Sequence, residues 1–300
     1  MKKYLSPKTM LDLEKLFEEK GWEIDESLDI KKSLYKRYCE LLKFIDLEEQ
    51  NLMIELSRRF EQIEMKDYIE FFLMSFFDVG LDLLASKEKI IFAPLIRPFI
   101  EIDISKKKIA TPPIKSSQFL FYMLQGHDLR WLDHSSKFEF FQTIKDIKEN
   151  YIQDRTLLIL IDDFIGSGKT AINCIENIKK EFAAEVEKEV NINDICVMTI
   201  VAQNEGIQNI KDNLGINVYC DKIRKKGITD FFEPKISAEK MDLMKNIEKK
   251  LSCPKDYSLG YEETEALVTF MNKTPNNTFP AYWHETKSKI APFPRYKIYK

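Results

Sequence analysis

Asp162 and Asp163 stand side by side, and after Phe164 and Ile165 come Gly166, Ser167, Gly168, Lys169 and Thr170. Glycines let the backbone N–H groups of a tight loop close around an anion. The hydroxyls of Ser167 and Thr170 add donors, and a helix starting beyond them supplies a positive dipole end, which suits a phosphate. Two adjacent carboxylates repel a phosphate, but they accept hydrogen bonds from vicinal hydroxyls and hold Mg2+ through water. Acids and loop together suit a ribose 5-phosphate.

These groups need a strand before them and a helix after. Leu157 to Ile161 is an apolar run, short and branched enough to predict a central parallel strand buried on both faces, which the two acids end. Ala171, Cys174, Ile175 and Ile178 fall at helical spacing after Thr170. That order places a ligand at the carboxyl edge of a sheet. A Walker A loop also closes on Gly-Lys-Thr, but it needs glycine where Asp163 stands, and a carboxylate there occupies the place of the phosphates. The plainer alternative is a pair of acids that cap a helix or bind water.

The stretch T-L-L-I-L-I-D-D-F-I-G-S-G-K-T resembles the ribose-phosphate signature of type I phosphoribosyltransferases. The resemblance implies that Asp162 and Asp163 meet the ribose 2- and 3-hydroxyls, and that Gly166, Ser167, Gly168, Lys169 and Thr170 cradle the 5-phosphate of phosphoribosyl pyrophosphate. Lys169 departs from the glycine usual in the biosynthetic enzymes, so the loop either gains a charge or holds a different phosphate. A second stretch, with G-Y-E-E-T-E-A-L-V-T-F, N-K-T-P-N-N-T-F-P-A-Y-W and A-P-F-P-R, is similar to the phosphoribosyltransferase-like group of bacterial conflict (defence) systems, PRTase-CE-like. The two stretches fall in the last two thirds of the chain. They imply an α/β fold with a type I phosphoribosyltransferase-like parallel sheet flanked by helices, behind an N-terminal helical region. Mg2+ is the implied cofactor, held by Asp162 and Asp163 through water. Phosphoribosyl pyrophosphate or a nucleotide is the implied ligand. In this fold the loop after the first strand binds pyrophosphate, which points to Arg97, and a late aromatic stacks on the base, which points to Phe231 or Phe232. Arg97 beside a proline turn and one of the phenylalanines in the core are the structural alternatives.

With 44% hydrophobic residues over 300 positions the chain can bury a large core. A net charge of −3 offers no electrostatic reason to expect direct nucleic-acid binding. Five scattered cysteines without C-x-x-C pairs argue against a disulfide framework or a zinc site and fit reduced, cytoplasmic thiols. No window reaches the ~20 apolar residues of a membrane span.

The expected division is a helical region over 1–87 and an α/β domain over 88–300 that includes a C-terminal extension. Helices are expected after Ser6-Pro7 with Leu11, Leu13, Leu16 and Phe17 inward, from Ile30 to Phe44, after Asp46, and over Tyr68 to Ser86. This front packs or docks a defence-system partner. Strands are expected at Lys89–Leu95, from Ile195 to Ala202, at Gly215–Tyr219 and at Leu267–Phe270, and further helices at Lys137–Asn150, Asn204–Asn213 and from Ser237. The lysines at 106–108 and Lys222 to Lys226 either attract phosphates or face water. His127 and His134 lie near aspartates without a nucleophile elbow, and Gln203 and Glu205 lie at a strand's carboxyl end. Trp283, His284 and Arg295 could form an aromatic, charged wall for a base or phosphate. The favoured activity is phosphoribosyl transfer or cleavage of a nucleotide's glycosidic bond, as an effector of defence. The alternative is a non-catalytic nucleotide sensor or partner-binding subunit.

Overall fold

The computed structural model describes residues 4–25, 27, 29–95, 116–126, 129–184, 191 and 194–295. In chain order the regular elements are α1 (Pro7–Lys20), α2 (Leu34–Lys43), α3 (Leu47–Arg58), β1 (Glu61–Ile63), α4 (Met65–Phe77), α5 (Leu81–Ser86), β2 (Lys89–Pro94), α6 (Ser116–Gly126) and β3 (Phe138–Phe140). They continue with α7 (Ile144–Asn150), β4 (Thr156–Ile165), α8 (Lys169–Ala183), β5 (Ile195–Gln203), α9 (Asn204–Leu214), β6 (Asn217–Arg224), α10 (Pro234–Lys250) and β7 (Val268–Phe270). Packing groups them into two units, Met65–Arg224 and a discontinuous unit of Met1–Glu64 with Lys225–Lys300.

The unit from Met65 to Arg224 is built on a five-stranded, wholly parallel sheet of order β3-β2-β4-β5-β6. Parallel strands need crossover connections, and helices supply them. Ile147 of α7, Ala171, Ile175 and Ile178 of α8 and Ile210 of α9 pack with Ile91, Leu158, Leu160 and Val197 of the strands. On the opposite face α4 brings Phe72 and Phe76 to Phe92, and Phe121 of α6 meets Phe140. The fold is therefore the expected α/β type. Buried on both sides, β2, β4 and β5 read as nearly continuous apolar runs.

At the amino edge of this sheet Lys87 forms a buried ion pair with Asp194 and donates to the Asp154 carbonyl at 3.0 Å. The Tyr151 hydroxyl donates to the other Asp194 oxygen at 3.3 Å. Lys137 donates to the Leu84, Ala85 and Lys87 carbonyls, tying the end of α5 to the start of β2.

In the discontinuous unit α1 begins at Ser6, whose hydroxyl accepts the Thr9 N–H at 3.0 Å, and ends at Gly21 with φ 63°. Leu13, Leu16 and Phe17 are buried as expected, with Tyr38, Leu41, Leu52 and Leu56 of the next two helices. The rest of this core comes from the far end of the chain: Met244 and Ile247 of α10, Phe279, Tyr282 and the partly buried Phe293. Phe293 stacks on Phe60 at 4.6 Å, the Ser57 hydroxyl lies 3.0 Å from that of Tyr282, and β1 pairs in parallel with β7.

The second sequence stretch holds an unusual turn here. Leu259, Glu262, Glu263 and Glu265 all have φ between 51° and 58°, and Gly260 has φ 85°. Such backbone is strained for side-chain-bearing residues and needs outside support. The buried Glu265 carboxylate accepts the N–H groups of Ile228 and Thr229, and the buried Glu248 carboxyl accepts the Ser258 hydroxyl at 2.7 Å and the Leu259 N–H at 3.1 Å. A Cβ on Gly260 would stand 1.9 Å from the Asn277 carbonyl oxygen, so the G-Y-E-E-T-E and N-N-T segments interlock.

Several expectations need correction. Leu11 is 50% exposed rather than part of the buried stripe. α2 starts at Leu34, behind a Ser33 cap, and excludes Ile30. The helix expected over Tyr68 to Ser86 is two, because Gly80 breaks it at φ 88°. Phe138 to Phe140 form an edge strand, since pairing with β2 outweighs their helical spacing, and only Ile144–Asn150 is helical. β4 runs through both aspartates to Ile165, held by its ladder with β5. α10 starts at Pro234, an apt first helical residue, which leaves Ser237 inside the helix and buried.

Two outcomes follow from the buried charges. Lys87→Met strands the Asp194 carboxylate and is expected to lower unfolding free energy in urea by about 3–5 kcal/mol, with most of it recovered when Asp194→Leu is added. Burial raises the Glu248 carboxyl to about 7, only partly offset by its hydrogen bonds. The folded chain thus keeps a proton that the unfolded chain releases, so this stabilisation is complete below about pH 4 and is lost as pH rises through about 7. Glu248→Gln should flatten that part of the melting temperature against pH curve, read by calorimetry, and raise the melting temperature at about pH 8.

Candidate functional site

Strand order locates the site before any side chain is considered. β2 and β4 are neighbours, yet the chain leaves β2 towards β3 on one side and leaves β4 towards β5 on the other. Connections that part in this way open a crevice at the carboxyl ends of the two strands. Asp162 and Asp163 occupy that end of β4.

The pair is held in partial isolation from water. Asp163 is buried at 5% exposure, and Asp162 is half-buried. Burial first, and then the neighbouring Asp163 carboxylate, hold Asp162 well above the usual carboxylate range. An Asp162 carboxylate oxygen accepts the Asp163 N–H at 2.9 Å, which offsets part of that rise. The Ser116 hydroxyl at the start of α6 lies 3.5 Å from the same carboxylate, too long for more than a weak contact. Ser117 beside it donates to the Leu95 carbonyl at 3.0 Å and so pins α6 to the end of β2. Tyr68 of α4 is fully buried, and burial followed by the charges of Asp163 and Asp162 pushes its hydroxyl pKa up. Carboxylate oxygens in this position can accept hydrogen bonds from the two hydroxyls of a diol.

The loop follows without interruption. Gly168 caps α8 with φ 79°, a conformation open to glycine, and as glycine it offers no side chain of its own to the helix start. The helix dipole there favours an anion. Behind the loop stands α9. A Cβ on Gly206 would lie 2.0 Å from the Gly166 carbonyl oxygen, and one on Gly168 would lie 2.7 Å from the Gly206 carbonyl oxygen. The Asn209 side-chain amide donates to the Ser167 carbonyl at 3.1 Å. Gly206 and Asn209 therefore set the loop's position, and nothing in their local sequence marks them, because the neighbour they meet lies 40 or so residues earlier, 42 from Asn209 to Ser167.

Of the expected residues, the strand, loop and helix bring together Asp162, Asp163, Gly166, Ser167, Gly168, Lys169 and Thr170. Gln203 ends β5 and Glu205 lies in the first turn of α9, the same turn that backs the loop. Arg97, the lysines at 106–108 and His127 lie outside the described residues. His134 takes a left-handed position, φ 66°. Lys222 pairs with Asp221 at 3.2 Å and sits over the Phe71 ring. Phe231 and Phe232 belong to the discontinuous unit, where Arg59 stacks on both rings and Lys240 on Phe232.

Among the described residues no three acids, histidines or cysteines gather to hold a metal. The aspartate pair offers hard oxygen donors, which fits Mg2+ bound by one or two carboxylates and completed by ligand phosphates rather than by a protein cage. No helix among the described residues is long and apolar enough to cross a membrane.

A model of the PRTase-CE family matches residues 99–297, a span that holds the aspartates, the loop and the interlocked C-terminal turns. A comparison with curated proteins finds no match.

The bracing by α9 has a measurable consequence. Gly206→Ala must displace the Gly166 carbonyl and is expected to weaken binding of a ribose 5-phosphate on the order of 10–100-fold in calorimetric titration. Gly126→Ala, with nothing within 4 Å of its Cβ, is the control and should bind as the parent does.

Proposed function

The chain belongs to the PRTase-CE family and has a phosphoribosyltransferase-like function, and from that premise we propose that Asp162 to Thr170 binds phosphoribosyl pyrophosphate or a nucleotide with Mg2+. On this reading the protein makes or breaks a bond at the anomeric carbon, as an effector in a bacterial defence system. The observation that carries the reading is continuity. Two partly desolvated carboxylates and a glycine-capped helix start lie on one strand, loop and helix at the switch point of the sheet.

Asp162 and Asp163 orient the ribose through its 2- and 3-hydroxyls. Gly166 to Thr170 hold the 5-phosphate through the loop and the start of α8, with Lys169 adding a charge. Fixing the sugar at both ends leaves the anomeric carbon as the atom presented to a reaction partner, so positioning supplies much of the rate. Mg2+, when bound, neutralises charge on departing pyrophosphate or phosphate. With a ligand hydroxyl or a cation at hand, the repulsion within the aspartate pair is relieved by binding.

Asp162→Asn with Asp163→Asn tests this. Each lost charge-assisted hydrogen bond is worth about 1.5–3 kcal/mol, so Mg-dependent binding of phosphoribosyl pyrophosphate in calorimetry should fall by at least about 100-fold. The ligand-free variant should melt a few degrees higher at neutral pH, because a buried like-charge pair is gone. Unchanged affinity would overturn the reading, and the rise in melting temperature would show that the lost binding is not lost folding.

A further inference from the structure

The C-terminal segment of the discontinuous unit carries an arginine unlike its neighbours. Arg37 donates to Glu285 at 2.8 Å and to the Lys31 and Ala291 carbonyls, each at 2.9 Å. Arg58 pairs with Glu19, and Arg59 donates to the Gly227 carbonyl at 3.0 Å. Arg295 is half-buried, and among the described residues no carboxylate or carbonyl accepts from its guanidinium. Its one close partner is an aromatic face, the Trp283 ring at 5.2 Å.

That stack is held rigidly. The Arg295 N–H donates to the Trp283 carbonyl at 3.1 Å, and the Trp283 indole N–H donates to the Thr278 carbonyl at 2.7 Å. Tyr257 meets Trp283 edge-on at 5.6 Å, with His284 on another side at 6.1 Å. A guanidinium stacked on a ring uses its face and leaves its donors, which lie in its own plane, for another group. Burial lowers the Arg295 pKa, and the only group raising it is the Tyr257 hydroxyl. Among the described residues no carboxylate raises it, and no guanidinium nitrogen of Arg295 is among the buried polar atoms left without a partner, so its donors stay open to water or to an anion.

We infer that Arg295, seated on Trp283 beside Tyr257, is a binding site for the phosphate group of a ligand, one that does not depend on the aspartate pair. A forked donor set matches two phosphate oxygens, and Tyr257, edge-on to the same Trp283 ring and close enough to act on the Arg295 charge, brings a hydroxyl to this neighbourhood. A carboxylate has two oxygens and half the charge, which makes it the weaker occupant of a half-buried cation that faces no acid among the described residues.

The test uses the full chain and inorganic phosphate as the probe, following the arginine side-chain N–H resonances by NMR at constant ionic strength. The Arg295 resonance, assigned by its loss in Arg295→Lys, should shift and saturate with phosphate but not with chloride or acetate. The shift should persist in Asp162→Asn. Tyr257→Phe should weaken it several-fold, and Arg295→Lys, which keeps the charge but not the fork, should weaken phosphate binding by about tenfold or more, read there from the Trp283 indole N–H resonance. A response no different from chloride would reduce the stack to packing and overturn the inference. An equal response to acetate would overturn the phosphate assignment. Because the titration is done on the parent chain, neither outcome depends on a variant that fails to fold.

Discussion

Two carboxylates cannot sit together out of water without something to relieve them, and that constraint explains the surroundings of Asp162 and Asp163. The strand beneath them is wholly apolar and buried, so it cannot turn to offer them solvent. Tyr68, Ser116 and the Asp163 N–H are the polar groups brought nearby, and they offset only part of the repulsion. Carboxylates are by their chemistry receptive to hydroxyls and cations, while glycine-rich helix starts such as the one a few residues on favour anions.

The two edges of the sheet resolve charge in opposite ways. At the amino edge, Lys87 and Asp194 neutralise one another and Lys137 satisfies three carbonyls, an arrangement complete within the protein. At the carboxyl edge two aspartates stand adjacent and the helix that follows is capped by a glycine, which has no side chain to offer. The amino edge is closed by ion pairing within the protein, and the carboxyl edge is where the proposed ligand would lie. The contact of Gly206 with the Gly166 carbonyl belongs to the same logic, since a loop meant to close on an anion must be held at a fixed distance by its neighbour.

What could be read from the sequence divides along the range of the forces involved. Leu157 to Ile161, the acids and the glycine loop were legible because hydrophobic runs and turn residues act within a few positions. So were the caps at Ser6 and Asp46 and the stop at Gly21. Tyr68, Gly206 and Asn209 were not, since each matters only through a residue on another element. Phe138 to Phe140 show the competition directly: their spacing suits a helix, but an open edge of β2 offers them hydrogen bonds. Gly80 breaks the helix at φ 88° although the aromatic-rich helical pattern runs on either side of it. The second stretch carries a family resemblance, and its use in the fold, a left-handed turn clasped by Glu248, Glu265 and Asn277, appears only when segments far apart in the chain meet.

The split core has a consequence for biosynthesis. Tyr38, Leu56 and Phe60 leave the ribosome well before Phe279, Tyr282 and Phe293, which complete their packing. At about 5–20 residues per second the first group waits on the order of ten to forty seconds for the second. During that interval its apolar faces need shelter, such as a holding chaperone, and a nascent chain halted before Phe279 never closes this core.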